Sequence, residues 1–307
     1  MSAPEHLAPR RQGNWDWRAA ANFICGGSGG ALLLWTACAA LGGADLRAFV
    51  LAALALVGIG LTCVWFELGR PWRSINVLRH GASSWMTREA IVATLLFCCG
   101  AIALVGPYQG LALSASGVLG LAFLYSQARI LAANKGIPAW RHRLCLPLVL
   151  ATGLAEGAGL LTPLTLGMPA SLVFLSVLLA LLTATRVLAW RRYLLAMQRD
   201  GAPAGAIAEL QAIDRGLNGA GGAVPIALVL LAAVISQPLL AVLAGAVVVL
   251  SGARLKYTLI CRASFVQGFA LPKIPVRGAG ATAPGVRPGW ESVQPEARDR
   301  AKSSERA

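Results

Sequence analysis

The stretch FELGRPWRSINVLRHGASSWMTRE, residues 66–89, gathers Glu67, Arg70, Arg73, Arg79, His80, Arg88 and Glu89 between two runs, 48–66 and 90–106, that carry no charge. Glu67 is the chemically pointed member. It is an acid at the end of an apolar run, followed by Gly69, Arg70 and Pro71, in a place otherwise given to bases. A carboxyl group there can hydrogen-bond a ligand oxygen and exchange a proton with it. Three further polar residues, Asn22, Tyr125 and Arg129, fall at the same ends of their own apolar runs. With Glu67 they are expected to converge near one membrane interface. Polar groups at the mouth of an apolar cleft suit an amphipathic ligand with a polar head and a long hydrocarbon tail, and a quinone has that form. A second acid, Glu156, stands alone about 18 Å into another apolar run, counted at 1.5 Å per residue. A charge at that depth is costly unless it is paired or protonated, so Glu156 is a candidate proton relay or cavity lining. The bland alternative is a neutral acid bonded to a neighbouring helix.

The elements that must carry these residues are membrane spans. The 307-residue chain is 57% hydrophobic and 13% charged, where soluble domains carry about 25% charge. Eight apolar runs of about 20 residues follow one another, at 19–41, 46–66, 87–106, 109–131, 144–163, 167–190, 217–236 and 238–258. Backbone groups in lipid must be paired within the segment, and no period-two alternation suggests a barrel, so the fold class is all-α, an integral membrane bundle of eight helices. Residues 1–18 are expected to form a cytoplasmic N-terminal segment and 19–260 the bundle. Residues 261–307 are expected to be a cytoplasmic, disordered tail, being rich in Pro, Gly, Arg and Ala without apolar periodicity. Gly26 with Gly30, and Gly153 with Gly157, are small-xxx-small pairs that let helix backbones approach closely. The tryptophans at run ends, including Trp140 and Trp190, fit an interfacial aromatic belt.

The sequence also argues against several chemistries. His6, His80 and His142 lie in loops or the tail, so no span offers the histidine ligands of a b-type haem. The seven cysteines include no CxxC pair, so neither an iron–sulfur cluster nor a zinc site is expected, and no other metal site is. The formal charge of +14 comes from bases at run ends, which is a topology signal rather than a nucleic-acid surface. Lipid is the expected environment.

ELGRPWRSINVL followed by SSWMTRE resembles the LGRP stretch and the following S-W-x-[ST]-R-E helix start of the dimethyl sulfoxide reductase anchor and polysulfide reductase (NrfD-like) membrane subunits. The eight-helix layout is similar too. The resemblance implies a membrane anchor that binds a quinone or menaquinone, holds no haem or cluster of its own, and works in anaerobic respiration. It implies two partners, a ferredoxin-like iron–sulfur subunit and a molybdopterin catalytic subunit. It places Glu67 at the quinone, with Asn22, Tyr125 and Arg70 as further ligand residues. The opening NWDWRAAANFICGGSGGALL is similar to the membrane subunit of phenylacetyl-CoA:acceptor oxidoreductases. Arg73, Arg79, Trp85 and Arg88 would then help dock the partner. The rival reading is a transporter or channel with Glu156 as its midplane site.

With eight spans, all but one of the 27 Lys and Arg residues fall on the side of the termini, Arg47 being the exception. Both termini are therefore expected in the cytoplasm of a bacterial inner membrane. Alkaline phosphatase fused after Arg79 should be inactive and fused near Gly42 active. The opposite pattern would overturn the orientation.

Overall fold

The computed structural model describes residues 9–40, 45–67, 84–106 and 109–266. Eight helices are long and apolar enough to cross a bilayer. They are span 1 (Trp17–Ala39), span 2 (Arg47–Glu67), span 3 (Trp85–Val105), span 4 (Gln109–Ala133), span 5 (Cys145–Gly167), span 6 (Pro169–Arg199), span 7 (Ala204–Ile235) and span 8 (Pro238–Arg262). No strand occurs among the described residues. One antiparallel bridge joins Arg11 to Phe265, and Gln12 N–H donates to the Ser264 carbonyl at 2.9 Å. The start of span 1 and the end of span 8 therefore lie at one end of the bundle, called here the basic end. Arg70, Arg73, Arg79 and the LGRP stretch fall outside the described residues, as does the tail from residue 267.

Spans 6 and 7 run further than their apolar stretches. In span 7 an amphipathic helix, Ala204–Asn218, precedes the apolar Val224–Ile235. Ala206, Leu210, Ile213 and Leu217 form its buried stripe at helical spacing. Twelve apolar residues rise only about 18 Å, so the amphipathic part supplies the remaining length. Ser236, in the left-handed region at φ 55°, and Pro238 at the next helix start make the short turn into span 8. At span 1 the cap is Asp16, whose carboxylate accepts from Arg18 N–H at 2.8 Å. Hydrogen bonds from Arg18 hold that carboxyl below its usual range. Span 3 is capped by Ser84, which accepts from Thr87 N–H, and the Thr87 side chain is buried.

Spans 1 and 5 form the interior, with 61% and 72% of their apolar windows buried, against 28–44% for the others. Their close packing rests on glycine. The backbones of Gly30 in span 1 and Gly120 in span 4 touch, and a Cβ on either would strike the other's carbonyl. Gly157 in span 5 lies against Ala31, also in span 1. Two tryptophans depart from the aromatic-belt expectation. Trp140 and Trp190 are fully buried because each indole N–H has a protein acceptor, the Leu259 carbonyl at 2.8 Å and the Asp214 carboxylate at 2.7 Å.

Each of the three π-helical turns gives a backbone carbonyl to a side chain from elsewhere. At Asn22–Gly26 the Asn22 carbonyl accepts from the Gln127 amide at 3.0 Å. At Gly219–Ala223 the Gly221 carbonyl accepts from the Arg186 guanidinium. At Thr258–Arg262 the Leu259 carbonyl accepts from Trp140. A widened turn loosens the helical ladder, and a polar side chain from another segment completes the bonding.

Gly120→Val should therefore lower stability by about 1–3 kcal/mol or more, since backbone cannot move aside as a side chain can. Gly110→Val, at a position with open space around it, should be close to neutral. Thermal unfolding in detergent measures both, and equal midpoints would refute the contact.

Candidate functional site

Three polar side chains meet just inside the basic end. Glu89 in span 3 is 7% exposed. It shares its inward stripe with Ala93, Leu96, Gly100 and Ala103, all buried at steps of three or four. Its carboxylate accepts from the Asn22 side-chain amide at 3.2 Å, and the Gln127 side chain approaches the same group. Gln127, fully buried in span 4, spends its amide N–H on the Asn22 carbonyl. This leaves Asn22 Oδ1 and Gln127 Oε1 buried without a donor. At 1.5 Å per residue the three sit about 6–9 Å below the basic end.

In the sequence Glu89 is one charge among several at the start of an apolar run, with nothing adjacent to aim it inward. The stripe of small residues beneath it was the available signal. The expected convergence of Asn22, Glu67, Tyr125 and Arg129 separates into three neighbourhoods. Asn22 joins Glu89 and Gln127. Glu67 ends span 2 above them, near Asp16 and Arg18, with Oε1 buried and unpartnered. Arg18 also donates to the neighbouring Phe66 carbonyl at 2.8 Å. Tyr125, two residues from Gln127 and so on another side of span 4, packs edge-on against Trp85 with ring centroids 5.8 Å apart. Trp85 in turn meets the guanidinium groups of Arg88 at 4.3 Å and Arg129 at 4.7 Å. This aromatic–cation cluster is half-exposed, which leaves Trp85 and Arg88 accessible at the basic end.

Deeper lies a second set. Glu156 in span 5 is fully buried about 16 Å from the basic end. Its Oε2 accepts from the Lys256 ammonium at 2.5 Å and from the Ser28 hydroxyl at 2.7 Å. Oε1 has no donor and lies against Gly252, where any Cβ would collide with it. Lys256 is 1% exposed. Sequence reading counted both Lys256 and Arg186 among bases outside the membrane core, because bases at span ends are ordinary. The structure corrects both. Helical side chains lean toward the helix N-terminus, which for span 8 is the far end, so Lys256 reaches down to Glu156 instead of up to the interface. Arg186, also 1% exposed, donates to the Val248 carbonyl at 2.8 Å, to the Gly221 carbonyl and to Ser251 Oγ at 3.0 Å, tying span 6 to spans 7 and 8.

Breaking a buried ion pair on one side strands the other charge. Lys256→Met should therefore destabilise the protein by about 3–5 kcal/mol, and the double variant Glu156→Gln/Lys256→Met should recover much of that loss. Denaturation in mixed micelles reports the difference. If the double variant were as unstable as Lys256→Met, the charges would not be coupled.

Comparison with curated proteins gives no match. The family model described as the DMSO reductase anchor subunit (DmsC) matches residues 30–268, a range that includes Glu67, Glu89, Gln127, Glu156 and Lys256. With more than half its length matched and eight spans in its fold, the chain belongs to the DMSO reductase anchor subunit family and is a membrane anchor of a DMSO reductase-type complex.

Proposed function

We propose that this anchor binds a quinone or quinol, menaquinone being one such ligand, at the basic end, and exchanges electrons with an iron–sulfur subunit docked there. That subunit would pass electrons to or from a molybdopterin catalytic subunit. The observation that carries the reading is the buried acid Glu89 with the Asn22 amide beside it. Asn22 Oδ1, a buried acceptor without a donor, suits a quinol hydroxyl, and Asn22 Nδ2 suits a quinone carbonyl. A quinol gives up two electrons and two protons when oxidised. Glu89 accepts or returns a proton at the ring oxygen, and Asn22 orients that oxygen. Glu67 and Arg70 serve the mouth above, where Glu67 exchanges the proton with water. Tyr125, half-exposed beside Trp85, would flank the apolar entry.

Partner docking is assigned to the basic end, through Trp85 and Arg88 together with Arg73 and Arg79. Basic clusters attract an acidic partner surface and raise its association rate. In this reading both termini face the cytoplasm of a bacterial inner membrane and the complex serves anaerobic respiration. The transporter alternative is less well supported, because Glu156 is already neutralised by Lys256 and Ser28 from within the chain.

The test is the ratio of quinone-linked to dye-linked turnover in the assembled complex, where the dye reacts at the partner's clusters. Glu89→Gln keeps the shape but cannot shuttle a proton, and should lower the ratio by about 10²-fold. Glu67→Gln should lower it less. An unchanged ratio in Glu89→Gln, with normal assembly, would sink the assignment.

A further inference from the structure

The two polar sets are not separate. A Cβ placed on Gly27 in span 1 would lie 2.9 Å from Gln127 Oε1 and 3.0 Å from Lys256 Nζ. These atoms therefore face each other across the bare glycine, at most 5.9 Å apart. One water bridges a gap of that size when polar groups line both sides. Glu89, Asn22, Gln127, Lys256 and Glu156 thus form one descending file. Gln127 Oε1 and Glu156 Oε1 stand along it as buried acceptors without donors. Four spans contribute to the file besides span 5, which brings Glu156, so it follows a seam between helices and no single helix face.

We propose that this file is a one-ended proton path, which loads a proton from the basic end onto the Glu156–Lys256 pair at the middle of the bundle and returns it the same way. It rests on the proposed quinone reading only for its physiological use, since Glu89 is common to both. Inward transfer balances as follows. The Lys256 ammonium gives its proton to the Glu156 carboxylate, leaving an amine beside a carboxylic acid. The Glu89 carboxylic acid then reprotonates the amine through water at the Gln127 gap. Glu89 is left as a carboxylate and is reloaded from the mouth. The net change is one proton, held on Glu156 beside a restored Lys256 ammonium.

The neighbours of Glu156 fit such a store. Span 8 supplies Lys256 and span 1 supplies Ser28, with the Cys25 thiol at longer electrostatic range. Span 6 brings the Arg186 guanidinium into the same electrostatic reach. Span 4 contributes the neutral Gln127, and the span 7 residue in the same packed cluster is the apolar Val229. On the far side no ionisable side chain is buried among the described residues. Beyond Glu156 and Arg186 the buried polar side chains among the described residues are the hydroxyls of Thr36, Ser116, Thr162, Thr165, Ser176 and Thr183.

The experiment uses the purified full-length chain in lipid nanodiscs without added quinone. Infrared difference spectra follow carboxyl protonation after pH jumps between about pH 5 and about pH 9, which span the range of perturbed carboxyl groups. A carboxylic acid band is expected that disappears in Glu156→Gln. Gly27→Ala sets a methyl group into the gap, displacing only side-chain ends. Gln127→Leu removes the relay amide. Relay groups contribute about 10²- to 10⁴-fold, so each variant should slow the rise of the Glu156 band by at least about tenfold, with Gly110→Ala as wild type. Absence of any Glu156-dependent band would overturn the proposal. So would wild-type kinetics in the folded Gly27→Ala and Gln127→Leu proteins. Quinone turnover plays no part in this readout. An unchanged quinone-to-dye ratio in Glu89→Gln would sink the quinone site alone, and unaltered band kinetics would sink the path alone.

Discussion

An ammonium group 2.5 Å from a carboxylate, both buried inside the bundle, is the contact around which the helices are arranged. Either charge alone is costly there, since an unpaired buried ion forfeits several kcal/mol of solvation. The pair requires spans 5 and 8 to lie side by side in one register, with span 1 close enough for Ser28 to share the same oxygen. Gly252 is what lets the carboxylate lie flat against span 8, and Gly27 what lets the lysine pass span 1. Glycines that look like generic helix-packing residues are thus also the spaces in which the polar chemistry is housed.

The same constraint explains the rest of the interior. Several of the larger polar side chains draw their partners from another segment. Arg186 bonds to spans 7 and 8, Trp35 donates to the Leu154 carbonyl at 2.9 Å, and Tyr193 donates to the Ala139 carbonyl at 2.8 Å. With lipid as solvent there is no hydrophobic drive between helices, so association depends on close contact and such bonds. A polar bond has one geometry, whereas apolar surfaces slide. The interior polar set therefore specifies helix order where leucine and alanine would permit several arrangements.

The eight spans were legible because length and apolarity are properties of contiguous residues, and lipid imposes them on each segment separately. Glu156 was legible for the same reason: an acid far from either end of an apolar run is anomalous on its face. Lys256, Arg186 and Glu89 were not, because each stands within about a turn of the end of an apolar run, where a charge is ordinary. Whether such a residue turns outward or inward depends on which helix stands beside it, and that is a property of the assembled bundle. Tyr125 shows the same limit from the other side. It lies only two residues from the inward-facing Gln127, and that offset turns it toward Trp85. The indoles of Trp140 and Trp190 were read as interfacial because their burial depends on acceptors more than a helix away.

Glu156 and Lys256 are 100 residues apart in the chain, and Ser28 precedes Glu156 by 128. At about 5–20 residues per second, a ribosome makes Lys256 roughly 5–20 s after Glu156. During that interval span 5 must enter the bilayer without its cation. A carboxyl group can do so by holding a proton, at a cost of about 4 kcal/mol near neutral pH, the same order as a lysine would pay to lose one. Span 1 is already in place and offers the Ser28 hydroxyl as an interim partner. Span 5 thus waits with a hydroxyl from span 1 as its only partner for this acid, and the arrival of span 8 completes the pair.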